Sequence, residues 1–182
     1  MNESLDLLLI NPVCGDHNPK NIFALLFHKL VNYCPPGLLY LASNARRHGF
    51  SVDIYDMELN DKLPCLLDYI NDKEPRMVGI GTLTFNYLNA LMVLKRIKTA
   101  FPNILTVIGG LHISHNPSNA IRRSYIDYEL IGEADNTLVQ LMKYLLRGEG
   151  DLSDVPGLVY KKEGKIVIND GFPIIESLDD LP

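Results

Sequence analysis

Three short apolar runs in this chain each end at a glycine-containing turn, and a helix-like stretch follows each of them. The runs cover residues 77–81, 104–108 and 128–131. Buried parallel strands are short continuous apolar runs, and a helix usually connects one parallel strand to the next. The carboxyl ends of parallel strands meet at one edge of the sheet, which is where open α/β sheets bind ligands. The three turns are therefore expected to share a binding edge.

Two more strands are predicted nearer the N-terminus, at 5–10 and 51–55. The clearest predicted helix, 86–100, has one apolar side and a basic last turn, where the helix dipole favours cations. Further helices are predicted after Pro35 and at 63–71, 117–123 and 136–147. Strands alternating with helices predict an α/β fold with a doubly wound, five-stranded parallel sheet. Right-handed crossovers favour the flavodoxin-like (Rossmann-like) strand order 2-1-3-4-5.

The pattern changes after Gly150. Two short strands, 158–161 and 165–168, flank Glu163-Gly164 and predict a C-terminal β-hairpin. The tail 171–182 is apolar and acidic without a period, which is typical of a linker. The chain of 182 residues is therefore divided into an α/β domain at 1–150 and a hairpin with linker at 151–182.

A long segment, 12–34, separates the first strand from the helix after Pro35, where a βα loop is usually much shorter. Its apolar residues recur at helical spacing, at Ile22, Phe23, Leu26, Phe27 and Leu30. Two interpretations stay open. The segment is a helical insertion over the binding edge that caps a ligand or docks a partner, or it is an extra helix packed on the surface of the core.

Composition excludes several classes of protein. The net charge is −5 without a block of like charge, which argues against a nucleic-acid partner. No apolar run reaches the length that crosses a membrane, and the N-terminus does not resemble a signal peptide. Cys14, Cys34 and Cys65 follow neither a zinc nor a disulfide pattern. The expectation is a cytoplasmic protein with no membrane contact.

The predicted strand order places a crevice between the first and third strands. The turn after the first strand lacks the Ser/Thr-rich loop of a flavin mononucleotide site and the acidic pair of a response-regulator receiver, and no nucleophile–base pair stands out. Glycine admits a ligand close to the backbone, although glycine after a strand and threonine before a helix are also common turn and cap residues. The residues expected at the crevice are Asn11, Pro12, Thr82, Thr84, Phe85, Asn86, Gly109, Gly110, Leu111, His112, Gly132 and Glu133.

An ordered set of short motifs runs along nearly the whole chain. It comprises Leu-Leu-Ile-Asn-Pro at 8–12, Pro-Pro-Gly at 35–37, Arg-His-Gly-Phe at 47–50, Val-Gly-Ile-Gly-Thr at 78–82, Val-Ile-Gly-Gly-Leu-His at 107–112, Ile-Gly-Glu at 131–133, Asp-Val-Pro-Gly-Leu at 154–158 and Leu-Asp-Asp-Leu-Pro at 178–182. This order resembles the N-terminal cobalamin-binding domain of cobalamin-dependent radical SAM enzymes. Leu111 and Ala134 depart from the family pattern, which often has proline and glycine at these positions.

The resemblance implies that the crevice residues bind cobalamin. Gly109 and Gly110 would border a slot for the nucleotide tail, Thr82 and Thr84 would offer hydroxyls, and Glu133 would accept hydrogen bonds. Better-known cobalamin modules carry an Asp-x-His-x-x-Gly signature whose histidine binds cobalt, whereas here Asp16 and His17 are adjacent. The expectation is therefore cobalamin held without a protein histidine ligand, with no metal ligand and no catalytic residue in this chain.

The resemblance also implies a second domain. Radical SAM enzymes hold a 4Fe-4S cluster with a Cys-x-x-x-Cys-x-x-Cys run, which this chain lacks. The cluster and S-adenosylmethionine are therefore expected only in a missing C-terminal radical SAM barrel. This chain alone is expected not to be an enzyme, and the full protein to perform methyl transfer or related radical chemistry. The alternative is a scaffold or interaction domain of the same fold that does not bind cobalamin, which the Leu111 and Ala134 departures favour.

Overall fold

A single sheet of seven strands organises the part of the chain that the computed structural model describes, residues 5–13, 35–59 and 63–171. The strands are β1 (Leu7–Asn11), β2 (Val52–Asp56), β3 (Met77–Gly81), β4 (Leu105–Gly109), β5 (Tyr128–Leu130), β6 (Leu158–Lys162) and β7 (Lys165–Ile168). Their order across the sheet is β2-β1-β3-β4-β5-β6-β7.

The first five strands are parallel and follow the predicted order 2-1-3-4-5. The predicted hairpin is also present, but the expectation of a five-stranded sheet is corrected. Strand β6 pairs antiparallel with β5, and β7 pairs antiparallel with β6, so the sheet is mixed and has seven strands. The physical reason is that the backbone groups on the outer side of β5 need partners, and β6 supplies them.

Five helices flank the sheet in the described ranges: α1 (Pro36–Arg47), α2 (Leu63–Lys73), α3 (Tyr87–Ala100), α4 (Leu111–His115) and α5 (Asp135–Met142). The helix expected at 117–123 is only a short 3₁₀ turn, Ala120–Arg122, while α4 is an addition to the predicted set. Helix α5 continues as a π-helical turn, Lys143–Arg147, and ends at Gly148 in the left-handed conformation.

The helices divide the apolar core into two layers. Helices α1 and α5 pack on one face of the sheet, against residues such as Leu9 and Val107, while α2 and α3 pack on the other face, against residues such as Ile10 and Ile108. Because successive strand residues point to opposite faces, both sets must be apolar. This double coverage explains why the strands appear in the sequence as continuous apolar runs.

Several predictions fall outside the described residues. They concern the insertion at 14–34, with Cys14, Asp16, His17 and Cys34, and the linker at 172–182. Cys65 lies within the described residues and is exposed with a free thiol. No helix in the described ranges is long and apolar enough to cross a membrane.

A buried carboxylate on β5 holds the turn that precedes the strand. The Glu129 side chain is completely buried, and it accepts hydrogen bonds from the backbone N–H of Ser118, at 2.8 Å, and from that of Ile121. Burial raises the pKa of Glu129 above its ordinary value of 4.5, although these hydrogen bonds act in the opposite direction. The carboxylate therefore replaces the regular hydrogen bonds that an irregular connection lacks.

Replacing Glu129 tests this role. We expect Glu129→Gln to lower the free energy of unfolding by about 1–3 kcal/mol, because the amide NH₂ cannot accept from both N–H groups. A raised carboxyl pKa contributes stability that is complete below pH 4.5 and is lost as the pH rises through the folded-state pKa. Urea unfolding between pH 4 and 8 should therefore show the largest gap between wild type and variant at the acidic end. A gap that widens with rising pH would contradict the assignment.

Candidate functional site

A cavity of about 390 Å³ opens at the carboxyl edge of the sheet. Its floor is the sheet face covered by α1 and α5, with Leu9 on β1, Gly79 on β3 and Val107 on β4. Helix α1 contributes Leu38 to one wall, and α5 contributes Leu138 to the other. The cavity is thus a groove between the sheet and two helices, in the size range of small-molecule sites.

Glycines on two neighbouring strands line this groove. Gly81 on β3 pairs with Gly109 on β4, and Gly79 lies two residues before Gly81 on the same face. A Cβ atom on Gly79 would lie 2.9 Å from Leu9 Cδ2, and one on Gly81 would lie 3.4 Å from Leu38 Cδ2. The absence of side chains on Gly79 and Gly81 therefore lets the Leu9 and Leu38 side chains pack closely against β3.

Eight of the twelve residues predicted for the crevice line this cavity: Asn11, Thr82, Phe85, Asn86, Gly109, Gly110, Leu111 and Gly132. The other four, Pro12, Thr84, His112 and Glu133, belong to the same loops but are not among the lining residues. The structure therefore brings most of the predicted set together around one opening, although their role in binding stays a prediction.

The polar members of this set are hydrogen-bonded to the protein. The Thr82 hydroxyl and backbone N–H both donate to the carbonyl of Gly109, each at 2.8 Å. Asn86 accepts from the N–H of Leu83 at 2.8 Å, and Asn11 donates to Asp56 at 2.9 Å. These bonds fix the shape of the loops that border the cavity.

Gly110 has a structural requirement of its own. Its φ is +97°, and a Cβ atom there would lie 2.5 Å from the carbonyl oxygen of Thr82 and 2.7 Å from its nitrogen. The loops after β3 and β4 therefore pass each other at a distance that only glycine permits. The sequence interpretation, in which Gly110 admits a ligand, did not foresee this crossing of two main chains.

His112 is held beside the opening by its neighbours. Its ring stacks on Tyr87 with 4.0 Å between ring centroids, and its Nδ1 lies 3.3 Å from the Thr84 hydroxyl oxygen. The Arg123 guanidinium donates to the Tyr87 hydroxyl at 3.5 Å. Thr84 and His112 thus form a small polar cluster at the edge.

Sequence reasoning missed the deep part of the site. The cavity is also lined by Glu58 and by six apolar-face residues, Leu9, Leu38, Gly79, Val107, Leu130 and Leu138. Asp135, in the turn after β5 that was expected at the crevice edge, lines it as well. The alternation of strand residues was the available signal, because it places Gly79 and Gly81 on the same face as Leu9. The prediction considered turns at the strand ends and not the strand faces that lead to them.

Among the described residues, the charged side chains that line the cavity are Glu58 and Asp135. Burial raises the pKa of Asp135, and the nearby Glu133 carboxylate raises it further. Within residues 5–13, 35–59 and 63–171, no lysine or arginine lines the cavity, and no group of three or more His, Cys, Asp and Glu residues is placed to hold a metal ion. This lining suits neutral groups that donate hydrogen bonds better than an ionised phosphate monoester.

Comparison with known proteins identifies the family. Residues 28–142 match the model of the B12 binding domain. The chain belongs to the B12-binding domain family. This match and the relatives that follow confirm the predicted resemblance to the cobalamin-binding domains of radical SAM enzymes.

Two relatives of this B12-binding domain are methyltransferases. An uncharacterized methyltransferase of Pyrococcus horikoshii, PH0819, is 31% identical over 155 residues, which are 81% of this chain and 32% of that protein. The cobalamin-dependent radical SAM methyltransferase TokK of Streptomyces tokunonensis is 26% identical over 60% of this chain and 16% of its own length. The chain thus spans about a third or less of these relatives.

Solved structures share the fold of the B12-binding domain. The cobalamin-dependent S-adenosylmethionine radical enzyme OxsB, with aqua-cobalamin and S-adenosylmethionine bound, superposes with a TM-score of 0.76 at 20% identity, over 94% of this chain and 23% of that chain. The methyltransferase TsrM of Kitasatospora setae, with cobalamin and a [4Fe-4S] cluster bound, gives 0.73 at 21% identity, over 92% and 31%.

The crossing at Gly110 can be tested with a matched pair of glycines. We expect Gly110→Ala to lower the free energy of unfolding by at least about 2 kcal/mol, because the added carbon meets the backbone of Thr82. Gly148 also has a positive φ, +71°, but a Cβ atom there meets nothing within 4 Å. Gly148→Ala should therefore cost only about 1 kcal/mol. Equal losses for the two variants in urea unfolding would contradict the proposed crossing.

Proposed function

We propose that this chain binds cobalamin at the carboxyl edge of its sheet, with the nucleotide tail of the cofactor in the groove between the sheet and helices α1 and α5. The observation that carries the proposal is the cavity of about 390 Å³ between the sheet and helices α1 and α5, which Gly79, Gly81 and Gly109 help to line. The family match and the fold shared with OxsB and TsrM support the same ligand.

The lining fits this cofactor in shape and in chemistry. A corrin carries primary amides around its rim, and the carboxylates of Glu58 and Asp135 are suitable acceptors for their N–H groups. The apolar floor suits an aromatic base. Flavin mononucleotide fits less well, because the sequence after β1 lacks the Ser/Thr-rich loop that binds its phosphate.

The chain's own residues would bind and orient the cofactor. Gly109, Gly110 and Gly132 would form the rim of the groove, and Phe85 and Leu111, which are 49% and 60% exposed, would contact the corrin. Thr84, His112, Pro12 and Glu133 lie in the same loops and would border it. When bound, cobalamin supplies a cobalt centre that can carry a methyl group.

We further propose that no histidine of this chain coordinates the cobalt. Within the described ranges, no histidine lines the cavity. His112 belongs to a loop at the rim, but its ring is stacked on Tyr87 and contacts Thr84. A lower face without a histidine ligand would leave the cobalt weakly coordinated, which suits transfer of a methyl group.

The domain is proposed to act within a larger radical SAM enzyme. The chain spans 32% of the methyltransferase PH0819 and 16% of TokK, so most of such a protein lies outside it. The 4Fe-4S cluster, S-adenosylmethionine and the catalytic step would belong to a C-terminal radical SAM barrel, reached from the hairpin and linker at 151–182. The division at residue 150 and the cytoplasmic location stay predictions.

Binding of hydroxocobalamin tests the proposal directly. The purified chain is mixed with hydroxocobalamin and passed through a desalting column, and the visible spectrum of the protein fraction is recorded. We expect the cobalamin to elute with the protein in about a one-to-one ratio. A colourless protein fraction, together with no binding in equilibrium dialysis, would favour the scaffold alternative instead.

Filling the groove tests its location. In Gly81→Leu the new side chain would extend into the cavity, where its nearest neighbour is the flexible end of Leu38. We expect this variant to fold but not to retain cobalamin. Ala100→Leu adds similar bulk at the exposed end of α3 and should bind like wild type. Equal retention by Gly81→Leu, with an unchanged circular dichroism spectrum, would move the binding site away from the groove.

A further inference from the structure

We propose, as an extension of the proposed function, that the inner groove selects corrinoids whose lower base is dimethylbenzimidazole over those whose lower base is adenine. The inference concerns the class of cobamide and rests on cobalamin entering this groove. It rests on the side chains that line the groove, which are apolar at the inner end and include polar groups toward the rim.

The inner end is made of hydrocarbon. Leu9, Gly79 and Val107 lie side by side in the strand register, and Leu130 continues this floor on β5. Leu9 and Leu130 are each 2% exposed, and Val107 is 3% exposed. Leu38 and Leu138 close the sides. None of these six side chains can donate or accept a hydrogen bond.

The backbone hydrogen-bonding groups beneath this floor already have partners. Strand β3 lies between β1 and β4 and pairs with both, so its N–H and C=O groups belong to the sheet ladders. The carbonyl of Gly109, closer to the rim, accepts from both the N–H and the hydroxyl of Thr82. A base in the inner groove would therefore meet backbone groups that already have partners.

The polar side chains of the cavity come from residues at or beyond the strand ends, and they include the Glu58 and Asp135 carboxylates assigned above to the corrin amides. Three others are already hydrogen-bonded within the protein. Asn11 donates to Asp56, Asn86 accepts from the N–H of Leu83, and Thr82 donates to Gly109. These three bonds measure 2.8 to 2.9 Å, so redirecting any of these groups toward a base would break a good hydrogen bond.

The two bases differ in what they need from such a surface. Dimethylbenzimidazole has a benzene ring with two methyl groups fused to its imidazole, and this hydrocarbon part gains from burial. Adenine carries an exocyclic amine and additional ring nitrogens, which lose their water in the groove without a replacement partner. An inner groove lined by apolar side chains penalises a polar base in this way, and we expect a preference of roughly tenfold or more.

Three corrinoids distinguish the outcomes: hydroxocobalamin, the adenine-containing hydroxopseudocobalamin, and hydroxocobinamide, which lacks the nucleotide tail. Dissociation constants are measured by equilibrium dialysis with the wild-type chain. We expect cobalamin to bind roughly tenfold or more tightly than pseudocobalamin. Equal affinities for these two would overturn the inference while leaving cobalamin binding intact. Failure of all three to bind would overturn the proposed function together with the inference.

A variant of Val107 tests whether the apolar floor of the groove causes the preference for dimethylbenzimidazole over adenine. Val107→Thr introduces a hydroxyl of nearly the same size beneath the base, which should weaken cobalamin binding and narrow its advantage over pseudocobalamin at least threefold. Val78 is equally buried but faces the opposite side of the sheet, so Val78→Thr should leave the ratio unchanged. Thermal unfolding of both variants checks that the fold persists. A ratio that is the same in Val107→Thr as in wild type would show that the floor does not discriminate.

Discussion

The register between β3 and β4 is the constraint on which the rest of the site depends. It sets Gly81 beside Gly109 and brings the following residues, Thr82 and Gly110, into backbone contact. The first pairing leaves a space under α1, and the second locks the two loops that border its opening. A slip of one residue would turn these glycines toward α2 and α3 and close the groove, since successive residues face opposite sides.

The fold was largely predictable because its signals are local. Apolar runs, proline before α1 and glycine after α5 each act within a few residues, and right-handed crossovers then leave few topologies. Attachment of the hairpin to β5 was not predictable in this way. It depends on which backbone groups remain unpaired after the parallel strands assemble, and no residue in the hairpin encodes that information by itself.

The site was predictable at its rim and not in its depth. Turn residues such as Gly109 and Gly132 can be recognised in the sequence, because each is a glycine directly at the end of an apolar run. In the sequence, Leu9, Val107 and Leu138 cannot be distinguished from other core residues. Only the packed structure shows that a cavity lies beside them. Thr82 illustrates the same limit, because its hydroxyl was expected to face a ligand but donates to the carbonyl of Gly109. The sequence shows that a hydroxyl donor is present at residue 82, but only the structure shows which acceptor it uses.

The hairpin also determines which strand edge each molecule exposes to other molecules in solution. By covering β5 it makes β7 the outer strand on that side, and Lys165 at the start of β7 is exposed. A lysine on an edge strand is one of the features that oppose the pairing of one sheet edge with another. The hairpin thus replaces the three-residue edge that β5 would form with an antiparallel edge that begins with a charged residue.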